Sequence, residues 1–158
     1  MERYQTLLLW TSALGALVIA GVFFAFSNFV MSGLARLPPS QGMAAMNSIN
    51  VTVINPLFMA LFLGTGLACA ALAVMNISSL PDHTAVKIIA GAAIYIIGSI
   101  GVTMMFNVPL NDALAAAPGD SAALWADYLK SWVMWNSVRG LASLAAGALF
   151  ISSLIAQA

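Results

Sequence analysis

From Leu7 to Val30 the chain carries no charged residue, and three more apolar stretches of comparable length follow. Crossing about 30 Å of hydrocarbon takes about 20 apolar residues at about 1.5 Å each. Four stretches are long enough, at about 4–31, 56–75, 86–106 and 132–155. All must be helical, because a backbone in lipid has to satisfy its own hydrogen bonds. The first stretch exceeds the apolar core of a secretion signal, about 7–15 residues, and reads as a retained span. Composition agrees: 62% of the 158 residues are hydrophobic and 6% charged, whereas a soluble domain carries roughly a quarter charged residues to face water. The expected fold is an all-α integral membrane four-helix bundle, a single transmembrane domain over 1–158, embedded in a lipid bilayer.

The charges also narrow the function. Five Lys and Arg balance five Asp and Glu, so the chain has neither the basic face that nucleic acid requires nor a polybasic lipid-binding patch. Cys69 is the only cysteine, which excludes an internal disulfide or a CxxC motif, and it reads as a small buried residue. His83 is the only histidine, so one chain offers no bis-His haem or multi-His metal site. No carboxylate falls within a span, as a proton-driven pump would need. No metal and no cofactor is expected.

Asn55-Pro56 reads as an N-cap followed by proline in the first helical turn, Thr84 as a cap for the third span, and Pro118-Gly119-Asp120-Ser121 as a break ahead of the last helix. Small residues four apart (Ala16 and Ala20, Gly21 and Ala25, Gly64 and Ala68, Ala142 and Ala146) mark places for close helix approach. The second and third spans are joined by a short turn. The two other connections are longer and contain helix; in the first, Met43, Met46 and Asn50 share a face. Phe26, Leu34, Ala35 and Pro38 are echoed 80 residues on by Phe106, Leu114, Ala115 and Pro118, the pattern of a helix–connection–helix unit used twice. Arg3 and Lys87 fall on one side, Arg36 and Lys130 on the other, so loop charge leaves the orientation open.

Four crossings bring both long connections to one membrane face, and the asparagines gather there: Asn28, Asn47, Asn50, Asn55, Asn107, Asn111 and Asn136, with only Asn76 opposite. Along the last helix, Trp125, Tyr128, Trp132, Trp135, Asn136 and Arg139 fall within an arc of roughly 100°, with Asp127 and Lys130 outside it. The tryptophans fit an interfacial aromatic belt. Arg139 lies about two turns inside Trp132, and an arginine there should face protein and find a partner. Candidate partners stand in Asn107-Val108-Pro109-Leu110-Asn111-Asp112. Pro109 should break or kink the third helix, and Asp112 is the nearest carboxylate for Arg139. Asn28, among Phe23, Phe24, Phe26 and Phe29, is the candidate contribution of the first span.

Gly21-Val22-Phe23-Phe24, Met46-Asn47-Ser48-Ile49-Asn50, Asn55-Pro56-Leu57-Phe58, Asn107-Val108-Pro109-Leu110-Asn111 and the W-x-x-W-N-x-x-R pattern of Trp132 to Arg139 together resemble the anthrone oxygenase-like family of small four-span membrane proteins. The resemblance implies a cofactor-independent oxygenase acting with O2 on a flat apolar anthrone-type or related phenolic or polyketide substrate, in a bacterial cytoplasmic membrane. The substrate carbanion would reduce O2, and the protein would supply desolvation, a base and oxyanion stabilisation. Arg139, Asn107 and Asn136 are the oxyanion candidates and Asp112 the candidate base. Trp132, Trp135, Asn111, Asn28 and Asn50 are candidate substrate contacts. The alternative is a non-enzymatic small-molecule binding, transport or accessory subunit, forming a homo-oligomer through its small-residue faces.

Overall fold

The computed structural model describes residues 3–118 and 121–156. Gly119 and Asp120, at the expected break ahead of the last helix, lie outside the described residues. Among the described residues four helices are long and apolar enough to cross a membrane: α1 (Arg3–Leu34), α3 (Pro56–Ser79), α4 (His83–Ala116) and α5 (Ala122–Ile155). A shorter helix, α2 (Pro39–Thr52), fills the first connection. α1 packs on α3 and α5, and α4 packs on the same two, so the spans form a closed ring in chain order. This is the up-down-up-down bundle that short connections favour.

Local chemistry sets the helix starts. Asn55 Oδ1 accepts from the Phe58 N–H at 3.0 Å, with Pro56 in the first turn. The cap of α4 is Asp82, whose Oδ1 accepts from the Thr84 and Ala85 N–H groups at 2.9 and 3.0 Å. Asp82, not Thr84, precedes the first helical turn, and from there its oxygen reaches the orphan amides. Nor does Pro109 break α4. Two π-helical stretches, Ile96–Gly101 and Thr103–Asn107, lead into the segment containing Pro109. A wide turn shifts the hydrogen-bond register, and Pro109 stands in the first α-helical turn after it, where a missing N–H is tolerated.

The ring closes around a core of Leu9, Ile19, Leu72, Ile88, Tyr95 and Phe150 with the small residues Ala13, Ala16, Ala92 and Ala146 among them. Lipid drives no hydrophobic association of helices, so close approach at small residues holds them by dispersion. The tightest approaches are not at Gly21 and Gly64, where an added Cβ would meet nothing within 4 Å, but at Gly15 against Thr65, Gly66 against Ile100 and Gly98 against Ala142. Spacing identifies a small-residue stripe; the packing angle decides which member meets a neighbour.

A second cluster lies at the face of the long connections. Met43 and Met46 of α2 pack there with Met31, Leu114, Trp125, Tyr128 and Trp132. Trp125 and Trp132 are therefore buried inside the chain instead of forming an interfacial belt, because α2 and the end of α4 cover the start of α5. The sequence echo has a counterpart in the elements. α1 starts at Arg3 and α4 at His83, and both carry wide turns near their ends, at Phe26–Val30 and Thr103–Asn107. In the second half, the parts matching α2 and α3 run as the unbroken α5, because no residue pair there interrupts the helix as Asn55-Pro56 does.

An added Cβ at Gly98 would stand 2.6 Å from Ala142 Cβ. Gly98→Val should therefore lower stability by about 1–3 kcal/mol through overpacking, seen as a lower thermal unfolding midpoint in detergent. Gly21→Ala should leave the midpoint unchanged or raise it slightly.

Candidate functional site

A cavity of about 550 Å³ opens among α1, α2, α3, α4 and α5. Its walls are mostly apolar, with Phe23, Phe26, Phe58, Phe62, Ile49 and Ile100 among them. Its polar groups are Asn50, Thr103, Asn107, Asn111, Asn136 and Arg139, with the indole of Trp132. A mostly apolar cavity with a few convergent polar groups is the usual form of a small-molecule site.

Arg139 anchors the inner wall and is only 6% exposed. Nη1 donates to Thr103 Oγ1 at 3.1 Å, and Nη2 donates to Asn136 Oδ1 at 2.7 Å. The guanidinium carbon stands 4.2 Å from the centroid of the Phe23 ring and 5.4 Å from that of Trp132, so two aromatic faces solvate the cation where water cannot. Asn136 is itself fixed. Its Nδ2 donates to the Phe23 carbonyl and to Ser27 Oγ, both at 2.7 Å, which directs its oxygen at the guanidinium. The Ser27 and Ser137 hydroxyls, 2.9 Å apart, continue this contact between α1 and α5.

The opposite wall is also braced. Asn107 Nδ2 donates to the Trp132 carbonyl at 3.3 Å. Asn111 Oδ1 accepts from Tyr128 Oη at 2.8 Å and from Trp132 Nε1 at 2.9 Å. Ser99, Thr103, Asn107 and Asn111 lie four apart along α4. In a regular α-helix, steps of four drift by about 40° each. The wide turns take more residues per turn, which removes the drift and holds Thr103, Asn107 and Asn111 on the cavity side.

Three buried polar atoms of the lining have no partner: Asn50 Nδ2, Asn107 Oδ1 and Arg139 Nε. Each unsatisfied buried group costs about 1–3 kcal/mol, and these three atoms lie beneath the lining, covered from the cavity itself. Among the described residues no carboxylate lines the cavity, and the guanidinium has no counter-charge there.

The cavity gathers Arg139, Asn107, Asn136, Asn111, Asn50 and Trp132 of the expected set. Three others stand apart. Asp112 is exposed on α4 and outside the lining, and the expected pair with Arg139 does not form. With α4 continuous, Asp112 follows Asn111 by about 100° around the axis and points away. Asn28 is exposed; its neighbours Phe23 and Ser27 make the α1 contribution instead. Trp135 stacks on Phe106 at 3.7 Å and 7°, outside the cavity lining. Thr103 and Ser27 were not among the sequence candidates. Thr103 was legible as a member of the polar stripe four residues apart, whereas Ser27 carried no signal beyond its neighbour Asn28.

A family model described as anthrone oxygenase matches residues 56–149. The chain belongs to the anthrone oxygenase family. The matched segment includes most of the cavity lining, from Phe58 and Phe62 through Asn107 and Asn111 to Arg139. No curated protein and no solved structure matches the chain.

Asn136 joins α1 to α5 and orients Arg139. Asn136→Leu in this family member should cost about 2–4 kcal/mol, since the Phe23 carbonyl and a buried cation both lose a partner. Ser137→Ala should cost at most about 1 kcal/mol. Unfolding in detergent, monitored by tryptophan fluorescence, separates the two.

Proposed function

We propose that this protein is a cofactor-independent oxygenase that converts an anthrone-type phenolic substrate to the corresponding quinone with O2. The observation that carries this reading is Arg139: a buried guanidinium facing an apolar cavity that has no carboxylate among its described residues. Such a site favours a ligand bringing an oxyanion and a flat apolar body. Family membership supports the same substrate class.

The chemistry follows from the substrate. An anthrone in its enol form is a phenol, and its ionised form spreads charge between the oxygen and the methylene carbon para to it. Arg139 holds the oxyanion, and the site selects the ionised form, with the proton left in interfacial water. Asn50 and Asn111, both partly exposed in the lining, offer polar contacts to further edges of the ring system. The carbanion transfers electrons to O2, and a C–O bond forms to give a hydroperoxide. Loss of the remaining C–H proton, with O–O cleavage, yields the carbonyl and water. The sum is anthrone plus O2 to anthraquinone plus H2O, with the substrate as the only reductant. The protein contributes desolvation and preorganised charge at the developing oxyanion. Asp112, outside the lining, is not needed as the base. The cavity lies within one chain and is roofed by α2, which supports an enzyme site over a transport path. The reading carries with it a location in the bacterial cytoplasmic membrane.

Two measurements test it. Purified protein in vesicles should consume O2 stoichiometrically with anthrone, and absence of consumption above the spontaneous rate overturns the proposal. Arg139→Ala should lower kcat by about 10²–10³, the usual loss for one oxyanion donor. Arg139→Lys should fall between, since a point charge replaces a planar fork. Asp112→Asn should keep the rate within about twofold, an exposed side chain outside the cavity lying beyond proton-transfer reach.

A further inference from the structure

We propose that the cavity opens sideways into the bilayer, between α3 and the second half of α4, and that Leu63 and Met104 form the gateposts through which a membrane-dissolved ligand enters. The inference rests on the cavity being a ligand site, and is separable from the oxygenase reading.

Four observations place the opening. α3 packs on α4 up to its wide turn at Ile96–Gly101, and beyond that turn the two helices part. Leu63 on α3 and Met104 on α4 both line the cavity and are still 42% and 63% exposed. A wall residue at a mouth does both, and so does Ile54, 70% exposed at the start of α3, so the opening runs from the α2–α3 connection down to Leu63 and Met104. Their depth is that of the guanidinium. Met104 follows Thr103, which accepts from Arg139, and Leu63 follows Phe62, whose ring stands 6.2 Å from that of Phe23 above the same guanidinium. Leu63 also lies seven residues past Pro56, about 10 Å along α3, well inside the hydrocarbon. Further from the connections, Leu67 (about one turn beyond Leu63) and Ile97 (about two turns beyond Met104) are exposed and apolar, so the mouth lies in a lipid-facing belt.

Beneath α2 the cavity is covered. Met46, Trp132 and Tyr128, all buried, roof the cavity beneath α2. Polarity follows the same axis. Arg139, Asn136, Asn107 and Thr103 lie on the inner side, whereas the side chains around the mouth (Ile54, Met59, Leu63, Ile100 and Met104) are all apolar. A ligand therefore enters with its polar edge leading and leaves any apolar substituent toward the lipid. Two unbranched methionines suit a mouth that must adapt to different shapes.

The test uses the full chain in lipid vesicles and anthraquinone as a probe that does not turn over, its binding read by tryptophan quenching. In a Cys69→Ala background, Leu63→Cys with Met104→Cys is bridged by a flexible, cleavable bis-maleimide, and a mass shift verifies the bridge. Bridging should slow anthraquinone exchange by at least about tenfold, as expected where the route sets the off-rate, and cleavage should restore it. The pair Leu63→Trp and Met104→Trp provides a second, steric closure should the cysteine variant fail to fold. Unchanged exchange in a verified bridged or plugged protein overturns the portal. Slowed exchange without anthrone turnover in the parent keeps the portal and removes the oxygenase reading; turnover with exchange unaffected does the reverse. No anthraquinone binding by the parent overturns both.

Discussion

A guanidinium buried in a membrane bundle must be satisfied by protein, and much of the architecture of this chain is organised around that requirement. Among the described residues Arg139 has no carboxylate partner; its hydrogen bonds go to neutral groups, Thr103 and Asn136, and two aromatic faces lie close to the cation. Neutral partners leave a net positive charge in a medium of low dielectric, which makes the site strongly attractive to an anion. A salt bridge would have been better satisfied, and it would have quenched that attraction. The same residues tie the bundle together, since Asn136 reaches the α1 backbone and Thr103 belongs to α4.

The wide turns connect fold and site. In α4 they bring a polar stripe of four-residue spacing onto one face, carry the helix through Pro109, and coincide with the point at which α3 and α4 separate. In α1 a wide turn begins just beyond Phe23, whose carbonyl and ring both serve the Arg139 cluster. Such turns exchange regular hydrogen bonding for altered side-chain aim, and they recur at functional sites. Close packing at Gly15 and Gly98 clamps the rest of the bundle.

The site also has a consistent polarity. Apolar, lipid-exposed residues frame one side of the cavity, and amides with the guanidinium occupy the other. This arrangement matches a molecule that dissolves in the bilayer and carries a polar edge. O2 partitions into lipid as well, so both reactants of the proposed oxidation would arrive from the same phase.

Much of this was legible in the sequence for reasons of solvent and parity. Four apolar stretches must be helices in lipid, and an even number of crossings brings both long connections to one face. From these followed the gathering of Asn50, Asn107, Asn111 and Asn136, and the inward role of Arg139, which has no cheap alternative in hydrocarbon. The choice among neighbours was not legible. Asn111 faces the cavity and Asp112 does not, Ser27 contributes and Asn28 does not, Trp132 lines the wall and Trp135 stacks outside it. Each choice depends on helix phase within a fraction of a turn, and wide turns reset that phase through backbone hydrogen bonds that no side-chain pattern announces. The sequence by itself determined the number of crossings and the face on which the chemistry gathers. Only tertiary structure decided which side chains meet, because rotation about each helix axis is fixed by packing against the other three.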